Sequence, residues 1–206
     1  MFSVRAPLIF RIFDGRFITC SVPTKEKVIY LTFDDGPIPE VTPEVLNILK
    51  EKNIHATFFC VGDNVKKHPD VLANLTAEGH AIGNHTFHHF NGWKTPPAEY
   101  LDDVSHCNDL IHTNLFRPPY GKFTPSQYFL LRKKYKIILW SVLSGDYHAG
   151  ISKEQCLSNV VEYTGPGSIV VFHDSLKAKE NLFYTLPRFI DHFLEKGFRF
   201  ESLGNS

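Results

Sequence analysis

The stretch VIYLTFDDGP, residues 28 to 37, decides how the rest of the chain is read. Its first six residues form a continuous apolar run of the kind that makes a buried strand, and Gly36-Pro37 punctuates that strand at once. Between the run and its punctuation stand two adjacent acids, Asp34 and Asp35. Two carboxylates at one strand tip call for a chemical reason.

Outward from this strand the same pattern recurs. Short apolar runs follow at ATFFCV (56–61), HAIGNH (80–85), LFRPP (115–119), KIILWSV (136–142), SIVVFH (168–173) and FRFESL (198–203). Amphipathic stretches at 43–52, 64–78, 97–113, 125–135, 153–163 and 186–196 alternate with them and predict helices. In the third, Leu101, Val104, Cys107 and Ile111 recur at helical spacing, which buries one face against a sheet. Thr124-Pro125-Ser126-Gln127 and Ser152-Lys153-Glu154-Gln155 fit a capping box, and Asn53, Gly79 and Gly197 stand where helices should end, since they tolerate a left-handed backbone. The alternation predicts an α/β body with a parallel sheet of about seven strands, either open or closed into a barrel. Ahead of it, IFRIF and RFITC flank Asp14-Gly15 and predict a β-hairpin over residues 8–20 that covers one end of the body. The expected organisation is an N-terminal hairpin extension, residues 1–27, and one domain, residues 28–206.

Composition narrows the function classes. A chain of 206 residues with 43% hydrophobic and 14% aromatic content can bury one full core. Its 22 basic and 22 acidic residues balance, so no field favours nucleic acid or an anionic membrane. Cys20, Cys60, Cys107 and Cys156 lie far apart and predict reduced, buried thiols, not a disulfide framework. The N-terminal MFSVRAPLIFRIFDG holds too short an apolar run for a spanning helix, and charges interrupt it where a signal peptide is continuous. No integral membrane segment is expected, and the expected location is cytoplasmic.

Parallel sheets carry their chemistry at the C-terminal ends of strands. Asp34 and Asp35 follow the first strand, His85 ends the third, Arg117 and Tyr120 leave the fourth, Asp146 follows the fifth and His173 ends the sixth. In NHTFHH, His85 and His89 differ by four positions, so a helical turn would bring both imidazoles to one side, as in paired metal ligands. One carboxylate more completes a three-ligand catalytic zinc site, whose open position holds a water with a pKa near roughly 7. Asp35 is the natural third ligand and Asp34 stays free as a base. His85 with His88 is the second-ranked pairing, and Asp-Asp before Gly-Pro also fits a solvated turn.

Five motifs in order, TFDDGP (32–37), HTFHH (85–89), RPPYG (117–121), a degenerate SGDY (144–147) and IVVFH (169–173), resemble those of the NodB-type polysaccharide deacetylases, carbohydrate esterase family four. The resemblance covers residues 28–203. It implies a distorted, incompletely closed (β/α) barrel, with residues 28–206 as the catalytic domain. It also implies a hydrolase that uses a divalent metal to remove N-acetyl, sometimes O-acetyl, groups from sugars. By position, Asp35, His85 and His89 would be the metal ligands and Asp34 the catalytic base. The backbone N–H of Tyr120 would stabilise the tetrahedral oxyanion, on a loop stiffened by Pro118 and Pro119. Arg117 would hold Asp34 in place and keep it charged. His173 would be the general acid, oriented by Asp146, with Asp174 beside it a cap or loop acid. Zinc is the expected metal, and the same ligand set also accepts cobalt, nickel or iron.

Two departures from the family pattern stand out. Leu143 occupies the first acid position of the fourth motif and Tyr147 replaces its tryptophan, which bears on acyl-group preference; Phe90 stands where the second motif usually ends in proline. The expected substrate is an acetylated carbohydrate, an N-acetylated amino sugar in oligo- or polysaccharide form. Alternatives with the same residues are an acetylxylan O-deacetylase and a deformylase of a lipid-linked amino sugar. A catalytically silent carbohydrate-binding protein is disfavoured by the intact Asp34, Tyr120 and His173, and a nuclease or phosphoesterase by the single metal set and the absence of basic excess. The oligomeric state is left open.

Overall fold

Strand β1 (Val28–Asp34) is buried along its whole length, because both edges are paired and both faces are covered. Side chains alternate along a strand, and the two faces of β1 meet different surroundings. Ile29, Leu31 and Phe33 join a cluster with Val45, Leu49, Leu186 and Phe189 from the surrounding helices. Val28 and Tyr30 instead pack inside the curled sheet with Phe59, Leu115, Ile138 and Ile169. Thr32 and Asp34 share that inner face, so the inside of the sheet turns from apolar to polar towards the strand's C-terminal end.

The computed structural model describes Val4 and residues 18–204. Strands β2 (Thr57–Cys60), β3 (Ala81–Asn84), β4 (Leu115–Phe116), β5 (Lys136–Ile137), β6 (Val142–Leu143), β7 (Ile169–His173) and β8 (Arg199–Glu201) complete one sheet with β1. The order is β5-β4-β3-β2-β1-β7-β6, with β8 on β1, and every ladder is parallel. Tyr30 pairs with both Ile169 of β7 and Glu201 of β8, so β8 shares the β2 edge of β1 below the point where β2 begins at Thr32. The seven α-helices among the described residues are α1 (Thr42–Glu51), α2 (Gly62–Lys67), α3 (Pro69–Ala77), α4 (Pro97–Ile111), α5 (Pro125–Leu131), α6 (Lys153–Tyr163) and α7 (Lys179–Glu195). No helix among the described residues is long and apolar enough to cross a membrane.

The sheet curls into a barrel that stays open between its ends, where no ladder among the described residues joins β5 to β6. The single strand expected over 136–142 is two strands for this reason: its start pairs with β4 and its end with β7. Residues 18–22 cross the intervening gap. Thr19 N–H donates to Ile137 and its carbonyl accepts from Leu139 N–H, while Val22 N–H donates to Gly167. Ile18 and Cys20 pack there against Phe116, Ile137 and Leu139. Residues 8–17 of the expected hairpin lie outside the described residues.

Two helices depart clearly from the spans expected from the sequence. The stretch expected as one helix over 64–78 breaks at His68 (φ −131°), because Pro69 excludes the helical conformation from the residue before it. The last helix starts at Lys179, seven residues before the expected start, and carries Pro187 inside it. Burial of Leu182, Thr185, Leu186, Phe189, Ile190 and Phe193 along one face outweighs the hydrogen bond lost at that proline. Thr124 and Gln127 form the complete capping box, whereas Ser152 caps Gln155 N–H without the reciprocal bond. Asn53, Gly79 and Gly197 all have positive φ at helix ends, and all four cysteines are buried and free.

Candidate metal centre and active site

Asp34 and Asp35 leave β1 in opposite ways. Asp34 continues the strand's alternation and points inward, where Arg117 Nη1 donates to its Oδ1 across 2.6 Å. Asp35 has φ 82°, a left-handed backbone that swings its carboxylate out of the sheet to the mouth. Asn64 Nδ2 donates to the Asp35 carbonyl at 2.7 Å and holds this turn. Gly36 N–H donates to Asp174 Oδ1 at 3.1 Å, and a Cβ on Gly36 would stand 2.0 Å from Asp174 Oδ2, so only glycine fits. Thr42 Oγ1 donates to the other Asp174 oxygen at 2.6 Å. Asp174, the acid beside His173, thus anchors the DDGP turn, and burial pushes its pKa up to about 8.

The histidines come from the end of β3. His85 is buried, and its Nδ1–H donates to the Arg117 carbonyl at 2.7 Å. Since a carbonyl can only accept, this bond fixes the proton on Nδ1 and turns the Nε2 lone pair toward Asp35, the arrangement of a ligating imidazole. Burial pushes the pKa of His85 down to about 4, which keeps the ring neutral. The chain then turns through Thr86 (φ 63°) and His89 (φ 56°). A loop with two left-handed non-glycine residues, not the expected helical turn, brings the two rings within 5.1 Å of each other.

Such a loop persists only when its surroundings over-determine it. Asn84 Oδ1 accepts from Thr86 N–H, Thr86 Oγ1 accepts from Phe90 N–H, and the carbonyls of Thr86 and Phe87 accept from Gly62 and Asp63 of α2. Asp103 on α4 makes three bonds to this segment. Its buried carboxylate accepts from Phe87 N–H at 2.8 Å, His88 N–H at 3.0 Å and His88 Nδ1–H at 2.5 Å. Sequence reading missed Asp103, although one signal was there: it is an acid inside the buried stripe of Tyr100, Val104 and Cys107. The same bond directs His88 to Asp103, and the imidazoles that gather at Asp35 are those of His85 and His89.

Asp35, His85 and His89 bring their ligand atoms within 4.8 Å of one another. Asp35 Oδ1 lies 3.3 Å from His89 Nε2 and 3.8 Å from His85 Nε2. Burial raises the Asp35 pKa, but the His89 bond and the fields of His173, His85 and His89 outweigh it and hold the carboxyl well below the usual range. One carboxylate and two imidazoles, that of His85 with its tautomer fixed by the Arg117 carbonyl, fit a divalent cation.

Around this triad stand the remaining residues expected from the sequence. Arg117, wholly buried, also donates to Thr32 Oγ1 (2.8 Å) and the Leu139 carbonyl (2.9 Å), and its guanidinium lies 4.0 Å over the Phe59 ring. His173 pairs in register with Asp34 across β1 and β7, so both side chains leave the same face. Its N–H and Nδ1–H both donate to Asp146, each at 2.8 Å. Burial lowers the His173 pKa, but the charge and hydrogen bond of Asp146, with the fields of Asp35 and Asp34, outweigh it and raise the value to about 9. Asn181 on α7 donates to the Asp146 carbonyl and steadies that loop. Tyr147 stands edge-on to His173 at 4.6 Å, and Leu143 is buried in the core. Tyr120 has φ 61° and its ring stands 4.8 Å from His89. The hydrogen bonds of its turn are donated by Gly121 and Lys122, which leaves the Tyr120 amide outside them.

A family model described as polysaccharide deacetylase matches residues 21–135. The chain is 33% identical over 191 residues to a peptidoglycan-N-acetylglucosamine deacetylase of Bacillus cereus, covering 89% of this chain and 69% of that protein. It is 33% identical over 167 residues to a chitooligosaccharide deacetylase of Azorhizobium caulinodans, covering 77% of this chain and 79% of the relative. Among solved structures, the Bc1960 peptidoglycan N-acetylglucosamine deacetylase in complex with 4-naphthalen-1-yl-N-oxidanyl-benzamide superposes with a TM-score of 0.85 at 32% identity, over 89% of each chain.

Proposed function

The chain belongs to the polysaccharide deacetylase family, and from that premise we propose that it is a metal-dependent hydrolase that releases acetate from the N-acetylated amino sugars of an oligo- or polysaccharide. The observation that carries this reading is the Asp35, His85 and His89 triad, flanked by a carboxylate held by an arginine and an imidazole held by a carboxylate. Asp35, His85 and His89 would hold the cation, and the donor set favours zinc, with cobalt, nickel or iron also accepted. When bound there, such an ion supplies Lewis-acid polarisation of the acyl oxygen and an acidified water.

The protein's own groups do the rest. Asp34, oriented by Arg117, accepts a proton from the attacking water as its oxygen bonds to the acyl carbon. The Tyr120 amide donates to the oxyanion, a role that a preorganised N–H fills without reorganising. His173, protonated at neutral pH and oriented through Nδ1 by Asp146, delivers a proton from Nε2 to the amide nitrogen as the C–N bond breaks. Acetate and a free amine result.

Acetate release from N-acetylglucosamine oligomers and from acetylated xylan, using metal-stripped protein with and without added zinc, tests the reading. Zinc-dependent acetate from the amino-sugar oligomers is expected. Acetate from xylan alone would move the activity to O-deacetylation, and none from either substrate, with zinc bound, would overturn the reading.

A further inference from the structure

Four loops at the C-terminal ends of the strands each carry a large apolar side chain in solvent: Trp93 after β3, Tyr120 after β4, Tyr147 after β6 and Leu176 after β7. Tyr120 and Tyr147 stand against His89 and His173 and belong to the site already described. Trp93 is different. It is 65% exposed, the most exposed large apolar side chain among the described residues, and it has no ring contact with a site histidine.

Its exposure is nevertheless built. The indole Nε1–H donates to the Phe123 carbonyl at 3.1 Å, and Trp93 N–H donates to Asn91 Oδ1 at 3.0 Å. Lys122 Nζ lies 5.1 Å from the ring centroid. Behind the tryptophan, a Cβ on Gly92 would come within 2.5 Å of the Lys122 carbonyl oxygen, so the two loops touch backbone to backbone. Gln127, with no exposure, ties the loop down by donating through Nε2 to the carbonyls of Gly92 (3.0 Å) and Thr95 (3.2 Å). The polar atom of the indole is satisfied, its backbone is clamped and its ring is left in water. A large flat apolar surface held in one orientation loses little entropy on binding.

The ligand that fits is the apolar C–H face of a pyranose, whose polar hydroxyls lie at the ring edge. Both loops of the platform also carry a residue of the site: Trp93 is four residues past His89, and its partner Phe123 is three residues past Tyr120. We infer that Trp93 is a stacking subsite for a sugar unit other than the one deacetylated. This inference rests on the deacetylase reading, and it assigns to that site a residue that favours longer chains.

The test compares wild-type protein, Trp93→Ala and Trp93→Phe, all loaded with zinc, on the dimer and the hexamer of N-acetylglucosamine. Trp93→Ala is expected to lower the hexamer-to-dimer ratio of kcat/KM by about tenfold, through KM, and Trp93→Phe to restore most of it. An unchanged ratio, with acetate released, overturns the subsite and leaves the deacetylase reading intact. Calorimetric titration of the hexamer separates the other failure. Hexamer binding about tenfold weaker in Trp93→Ala, without acetate from any protein, would sink the deacetylase reading and keep the subsite. Equal binding in wild type and Trp93→Ala, or binding by neither, overturns the subsite.

Discussion

Arg117 Nη1 donates to Asp34 Oδ1 across 2.6 Å at a point where the arginine side chain has no contact with solvent. A buried pair of this kind is not a stability device in itself, since desolvating both charges offsets their attraction. It does fix one carboxylate oxygen within the barrel, and it separates the roles of two acids adjacent in sequence. Asp34 is held from inside, and Asp35 faces the imidazoles.

Asp34→Asn is therefore expected to keep zinc at full occupancy and to lower kcat by about 10²–10⁴-fold, the range for losing a positioned base. Metal content per folded protein, measured beside kcat, checks this. Loss of zinc from the variant would make Asp34 a ligand and reverse the assignment of the two acids.

Asp103 should matter to metal affinity without touching the metal. Asp103→Ala leaves the Phe87 and His88 amides without their acceptor, at about 1–3 kcal/mol each where burial is complete, and releases the loop that carries His89. A zinc affinity lower by at least about tenfold is expected, together with a lower Tm of the metal-free protein. His88→Ala keeps both backbone bonds to Asp103 and should hold zinc within about twofold of wild type. A chelator competition assay on the two variants decides it; a large loss of affinity in His88→Ala would show that the wrong pair of histidines has been assigned.

The His173–Asp146 pair predicts a pH dependence of stability. The folded-state pKa of His173 is raised from an ordinary 6.5 to about 9. The stabilisation is therefore fully present below about 6.5 and is lost as pH rises through about 9. Urea unfolding of metal-free protein across this window should show stability falling with pH, and His173→Asn should flatten that slope. In turnover, the acid must be protonated, so Asp146→Asn should move the alkaline limb of the rate profile to lower pH. An unmoved limb would remove Asp146 from its assigned role.

Tyr120→Phe is expected to retain activity within about twofold, because the assigned donor is the backbone N–H and the ring that meets His89 is preserved. Steady-state kcat on the N-acetylglucosamine oligomers reads this directly. A collapse of kcat would give the phenol hydroxyl a role of its own.

Much of this site was legible in one dimension. A parallel sheet puts the ends of its strands on one side, so TFDDGP, NHTFHH, RPPY, SGDY and IVVFH had to meet once the strand–helix alternation was recognised. The backbone positions needing a left-handed conformation were less visible. Asp35, Thr86, His89 and Tyr120 all adopt positive φ although none is glycine. Helical spacing pointed to the pair of histidines whose rings lie together, His85 and His89, for the wrong local reason: a strained loop, not a turn of helix, brings them there.

The sequence by itself determined which residues are chemically competent and in what order the strands deliver them, because side-chain type, hydrophobic period and turn residues are local properties. The tertiary structure alone decided how each one is held. Arg117 reaches Asp34 from 83 positions away, Asp103 reaches the His85–His89 loop from a helix, and Asp174 reaches Gly36 from 138 positions away. Those bonds depend on strand register and helix docking, which no run of neighbouring residues encodes. They give two adjacent aspartates different surroundings, as the Arg117 carbonyl sets the tautomer of His85 and Asp146 raises the pKa of His173.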